Sequence, residues 1–312
     1  MTKRTLILFI FLSAFSLCPA WPESNPGASQ KPVEQINIPD ILEKVKAAYL
    51  SLDTLDVRGT QFLRTTETTA EGKLEADTTT TFEMKLGKPN LFKISWAKTS
   101  SAGKNEKGAV WSPGRESFVY ISSLKSYFKA DTDAALSSVY GIKKGFCPYI
   151  PLVFFYGASV TETLKDFKFE GFQPVGGDIC YVISARSFAY EDVTLWISKD
   201  EYFLRKAQYS FDKSKAKYYG ELFGGVIKED QLIKTMGLDL TEDKTAAMKK
   251  MMNYARSSLS KFDSGQVTEI YVQTSPNPRL GYNDFVYNVP DKTPLQDSLY
   301  EYILKNSERL LK

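Results

Sequence analysis

Phe82-Glu83-Met84-Lys85-Leu86-Gly87-Lys88-Pro89-Asn90-Leu91-Phe92-Lys93-Ile94-Ser95-Trp96 alternates apolar and polar side chains on both sides of a short break. Phe82, Met84 and Leu86 share one face of the incoming run, with Glu83 and Lys85 on the other. Phe92, Ile94 and Trp96 repeat the pattern on the way back. A period of two marks a strand with one buried face. Gly87, Pro89 and Asn90 each suit turn geometry. The stretch therefore predicts a hairpin in an antiparallel sheet, with its apolar face turned inward.

The same period extends outward from the hairpin. Strands are predicted over Val57 to Thr65, Thr78 to Leu86, Leu91 to Trp96, Val110-Trp111, Ser117 to Ile121 and Ser126 to Lys129. They resume over Lys168 to Val175, Cys180 to Ala185, Val193 to Ser198, Tyr202 to Phe211, Gln266 to Thr274 and Tyr282 to Val289. Helical spacing appears over Asp40 to Leu52, where Ile41, Leu42, Val45, Ala48, Tyr49 and Leu52 recur and Asp40 can cap the start. Shorter helices are expected over Ala134 to Tyr140 and Pro151 to Tyr156. A mainly helical insertion is expected over about 216–264, and a C-terminal amphipathic helix within 292–312. The sum is a mainly β (α+β) chain of about ten or eleven strands, with helices inserted between them. There is no βαβ alternation, GxGxxG or Walker motif, so a nucleotide-binding α/β fold is not expected.

The N-terminus carries an export address. Lys3 and Arg4 precede the apolar run Leu6 to Leu17, and Cys18-Pro19-Ala20 places small residues at a cut site. Residues 1–20 therefore read as a signal peptide, too short for a membrane span. Leu17 before Cys18 is too large for a lipoprotein lipobox. Cleavage is expected after Ala20, removing Cys18 and leaving a soluble periplasmic chain. Residues 21–39, with Pro22, Pro26, Pro32 and Pro39 among polar residues, read as a flexible linker to a domain over 40–291.

Composition narrows the chemistry. The chain has no histidine, which removes Ser-His-Asp and Cys-His catalysis and His-ligated zinc. No metal site, cofactor or catalytic residue is expected, and the chain is not read as an enzyme. Ser122-Ser123-Leu124-Lys125 matches S-x-x-K, but no K-T-G partner accompanies it. The formal charge is +3, and Lys3 and Arg4 in the leader supply most of it. The rest of the chain is near neutrality, so nucleic acid is not an expected partner. Outside the leader the cysteines are Cys147 and Cys180. They could pair in an oxidising compartment, or remain buried thiols that pack as small hydrophobes.

The order of pieces resembles the LolA/LolB lipoprotein-carrier superfamily, in particular its branch of predicted periplasmic proteins without assigned function. A helix runs into Asp56-Val57-Arg58-Gly59-Thr60-Gln61-Phe62. Then come Lys88-Pro89-Asn90-Leu91-Phe92, Gly108 to Trp111, a mid-chain Pro/Leu/Phe segment, and Asn277-Pro278 followed by Phe285-Val286-Tyr287-Asn288-Val289-Pro290. The resemblance implies an unclosed antiparallel half-barrel whose concave face is covered by helices and holds acyl chains. The partners it implies are an acylated lipoprotein or other lipid and membrane-bound donor or acceptor proteins. The function it implies is a periplasmic lipid or lipoprotein carrier; the alternative is an RseB-like envelope sensor on the same fold. The cavity lining it suggests is Phe82, Met84, Leu86, Phe92, Ile94 and Trp96 plus Trp111. For each of these the alternative is ordinary packing under the helices. Pro151, Leu152, Phe154 and Phe155 are the candidate lid, or else a fixed core helix. Lys88 matches the basic gate residue of the carriers, or else is a solvated turn lysine. The carriers have arginine there, and lysine offers a point charge without the planar fork.

Overall fold

The hairpin from Phe82 to Trp96 lies inside one twelve-stranded sheet. The computed structural model describes residues 36–212 and 262–299, without 70, 102, 104, 138–145, 160, 162–163 and 188–191, together with 246, 302 and 306. The strands are β1 (Thr54–Thr69), β2 (Gly72–Gly87), β3 (Leu91–Ser100), β4 (Asn105–Pro113), β5 (Ser117–Ile121) and β6 (Ser126–Ala130). They continue as β7 (Leu164–Val175), β8 (Asp178–Ser187), β9 (Asp192–Ser198), β10 (Leu204–Asp212), β11 (Phe262–Pro276) and β12 (Leu295–Gln296). The order is β12-β6-β5-β4-β3-β2-β1-β11-β10-β9-β8-β7. Every pairing is antiparallel except β12 with β6. β12 and β7 remain as edges, so the sheet is unclosed, as expected of a mainly β half-barrel. β1 pairs with both β2 and β11, which brings the early and late parts of the chain together at the centre.

One face is covered by helices. α1 (Ile38–Leu50) buries Ile41, Leu42, Val45 and Tyr49, its 3.6-residue stripe. α2 (Thr132–Ser137) follows β6, and α3 (Tyr149–Tyr156) buries Ile150, Pro151, Val153 and Phe154. Tyr49 reaches across the layer: its hydroxyl accepts a 3.2 Å bond from the Leu204 backbone N–H, and its ring meets Phe203 at 5.1 Å. Burial pushes this hydroxyl up to about 12.

Register pairs Phe82 with Trp96, Met84 with Ile94 and Leu86 with Phe92. Large rings on this face lie across glycines of the neighbouring strands. A Cβ on Gly59 would come within 2.4 Å of Phe82 Cζ, and one on Gly108 within 2.1 Å of Trp96 Cζ2. Gly108→Ala should therefore lower stability by about 1–3 kcal/mol, because Trp96 must leave its place to admit the methyl. Urea unfolding measures this, and an unchanged midpoint would show that the ring shifts at no cost.

Several boundaries differ from those expected. α1 starts at Ile38, with Asn37 rather than Asp40 as its N-cap; the Asn37 side chain accepts from Asp40 N at 3.5 Å. Tyr282 to Val289 is not a strand. It is a 3-10 turn, Tyr282–Phe285, followed by an extended run that joins no strand. Phe285 is buried there, and the Lys85–Asp284 ion pair at 2.6 Å pins the turn to β2. Tyr287 packs on Trp111 and Tyr120, so its alternation serves a sheet face rather than a sheet edge. At the C-terminus, Leu295–Gln296 pairs with β6 instead of opening the expected helix. Leu299 and Tyr302 are helical and pack against the core. Of the expected helical insertion, 216–261 lies outside the described residues except for 246, which is helical, and 262–264 belongs to β11. The signal peptide and the part of the linker before 36 also lie outside them.

Candidate functional site

The floor of the helix-covered face is apolar. Phe82, Met84, Leu86, Phe92, Ile94 and Trp96 are all buried there, beside Leu55 and Val57 of β1 and Val110 of β4. Trp111 is not with them. It pairs with Lys93, which places it on the opposite face, in a stack with Phe118, Tyr127 and Tyr287.

α3 lies over this floor. Phe154 is fully buried and Pro151 is buried, while Leu152 and Phe155 are half-buried. Phe155 meets Phe92 of the floor at 6.4 Å and Phe154 at 4.9 Å, both edge-on. Gly157 ends the helix in the left-handed region at φ 61°, where a glycine is favoured.

Lys88 touches two of the covering helices, α1 and α3. Its Nζ donates to the Leu50 carbonyl at the end of α1 and stands 5.3 Å from the Phe154 ring centroid. The last carbonyls of a helix lack intrahelical partners and carry the negative end of its dipole, so a cation there is favoured. A single ammonium meets one carbonyl and one ring face, without an arginine's fork.

The segment that leads into α3 is fastened by a group that the sequence did not reveal. Glu269 of β11 is fully buried on the helix-covered face. Its carboxylate accepts bonds from Gln61 Nε2 (3.0 Å), Tyr271 Oη (2.8 Å), Phe146 N (2.8 Å) and Cys147 N (3.1 and 3.2 Å). Phe146 and Cys147 immediately precede α3 in the chain. Desolvation pushes Glu269 up to about 7, although each of these bonds pulls the other way. The available signal was its parity: Val267, Glu269 and Tyr271 alternate with exposed or half-buried residues, so the glutamate occupies an inward slot.

Both cysteines are free and buried. Cys147 belongs to the core under the helices, whereas Cys180 packs with Val182 and Trp196 on the opposite face. The sheet stands between them, so the two thiols are not bonded. Ser122 lies in a 3-10 turn, where its hydroxyl accepts from Lys107 N at 2.8 Å. Among the described residues there is no cluster of three metal-ligating side chains, and no helix is long and apolar enough to cross a membrane. An open cleft of about 580 Å³ lies at the start of α1, lined by Ile36, Asn37, Ile38, Pro39 and Phe167. None of the predicted lining residues borders it.

Residues 40–222 match the DUF2092 family, described as a predicted periplasmic protein. The chain belongs to this family. That agrees with the branch of predicted periplasmic proteins expected from the sequence. No curated protein matches the chain. Among solved structures, this DUF2092 protein is similar to the lipoprotein LppX of Mycobacterium tuberculosis, at 12% identity and TM-score 0.36, over 79% of this chain and 100% of that one. It is also similar to a LolA superfamily protein from Nitrosomonas europaea, at 12% identity and TM-score 0.26, over 81% and 98% of the two chains. A third is the MucA/MucB complex of Pseudomonas aeruginosa, at 10% identity and TM-score 0.29, over 80% and 60%.

Proposed function

We propose that this DUF2092 protein is a non-enzymatic periplasmic carrier. It shields the acyl chains of a lipid or acylated lipoprotein between the sheet and α3, and exchanges them with membrane-bound donor and acceptor proteins. The observation that carries the reading is the apolar floor of Leu55, Val57, Phe82, Met84, Leu86, Phe92, Ile94 and Trp96 beneath a short helix whose leading segment is held by Glu269 and whose Phe154 ring faces the Lys88 ammonium. Phe82, Met84, Leu86, Phe92, Ile94 and Trp96 form the lining. Phe154 and Phe155 are the lid's inner surface, and Lys88 is the latch. Each buried methylene contributes about 0.8 kcal/mol, so one long acyl chain represents on the order of 10 kcal/mol that only a dry apolar enclosure supplies. The leader fits this role if it is cut after Ala20, leaving the chain free to shuttle.

Native mass spectrometry and lipid extraction of protein purified from the periplasm test the proposal. Co-purifying acylated species are the expected result. Repeated recovery of empty protein, together with no uptake of a neutral fluorescent probe such as N-phenyl-1-naphthylamine, would sink it.

A further inference from the structure

Glu269 has no cationic partner among the groups that contact it. The titratable groups around it are Tyr271 and Cys147, with Tyr49 beside Tyr271. All three are neutral at physiological pH, since burial raises each of them. A carboxylate in an apolar interior keeps its place only if donors meet its oxygens. Two of its donor groups, Gln61 and Tyr271, belong to the sheet and stay when the cover moves. The other two are the backbone N–H groups of Phe146 and Cys147, and they leave with the lid segment. Opening therefore strands acceptor sites at the deep end of the floor.

We propose that Glu269 is the head-group site of the cargo, where N–H or O–H donors of an uncharged or cationic amphiphile replace the Phe146 and Cys147 amides. The closed protein holds its own backbone in the position a ligand amide or hydroxyl takes. An acyl chain ending in an anion is disfavoured there, because two negative charges would meet in a water-poor enclosure. This inference rests on the carrier reading and adds the class of head group.

The test is displacement of N-phenyl-1-naphthylamine from the full-length mature protein by hexadecanol, hexadecanamide and hexadecanoate at about pH 8, where Glu269 and the fatty acid are both ionised. The alcohol and the amide should bind roughly tenfold tighter than the acid in wild type, and Glu269→Gln should bring the three within about twofold. A merely structural role would weaken all three equally and leave their ratio unchanged. Equal affinity of the three for the wild type overturns the inference, whether or not the variant folds, while leaving the carrier reading intact. Failure of all three to displace the probe, or of the probe to bind, overturns both.

Discussion

Glu269→Ala should lower the unfolding free energy by about 4 kcal/mol at about pH 5 and by only about 1 kcal/mol at about pH 8. At the lower pH the wild-type side chain is neutral. Truncation then opens a cavity and strands Gln61, Tyr271 and the Phe146 and Cys147 amides, each a buried donor. The pH dependence has a definite sign. The folded group titrates at about 7 and the unfolded one at its ordinary 4.5, so between these values the folded state holds a proton that the unfolded state has lost. Glu269 thus contributes stability that is fully present below 4.5 and is lost as the pH rises through about 7. A displacement of that size in a fully buried group corresponds to on the order of 3 kcal/mol. Tyr271, Cys147 and Tyr49 all titrate well above this window, so the difference between wild type and variant isolates the one carboxyl. Urea unfolding of both proteins across the interval measures it. An equal cost at both ends would mean that the folded carboxyl titrates as it does in water.

How much of this was legible depends on whether a strand has one buried face or two. β2 and β3 alternate cleanly, so Phe82 to Leu86 and Phe92 to Trp96 could be assigned to one face from sequence alone. In β4 every residue from Gly108 to Ser112 is buried, and alternation is silent there. Trp111, expected on the inner face from the resemblance, lies on the opposite one. The run from Tyr282 to Val289 shows the converse: a strand-like period that joins no strand and is spent on covering the opposite face with Tyr287 and Val289. Glu269 stood in an inward slot between Val267 and Tyr271, but its meaning lay in partners 208 and 122 residues away. A buried charge can be seen in a period; the donors that make it tolerable cannot. Lys88 likewise stands in an ordinary turn, and only the fold brings Leu50 and Phe154 to its ammonium.

Phe154→Ala separates a moving lid from a fixed core helix. Truncating a fully buried phenylalanine ordinarily costs about 3–5 kcal/mol. If α3 opens independently of the sheet, the global loss is capped at the free energy that holds the helix down, because beyond that point the variant is already open in its native state. The carrier reading predicts the capped result, a global loss below about 3 kcal/mol. Amide exchange should then be fast across 149–156, while β1 to β4 keep wild-type protection. The Lys88 contact supplies an internal check. Its ammonium loses the ring it stands over and keeps only the Leu50 carbonyl, so Lys88→Ala should cost about 1 kcal/mol more in wild type than in the Phe154→Ala background. The opened variant should also take up N-phenyl-1-naphthylamine faster than wild type, since entry no longer waits for the latch. A full 3–5 kcal/mol loss, with protection lowered evenly over helix and sheet, would instead make α3 a permanent part of the core and leave the apolar floor with no way in past it.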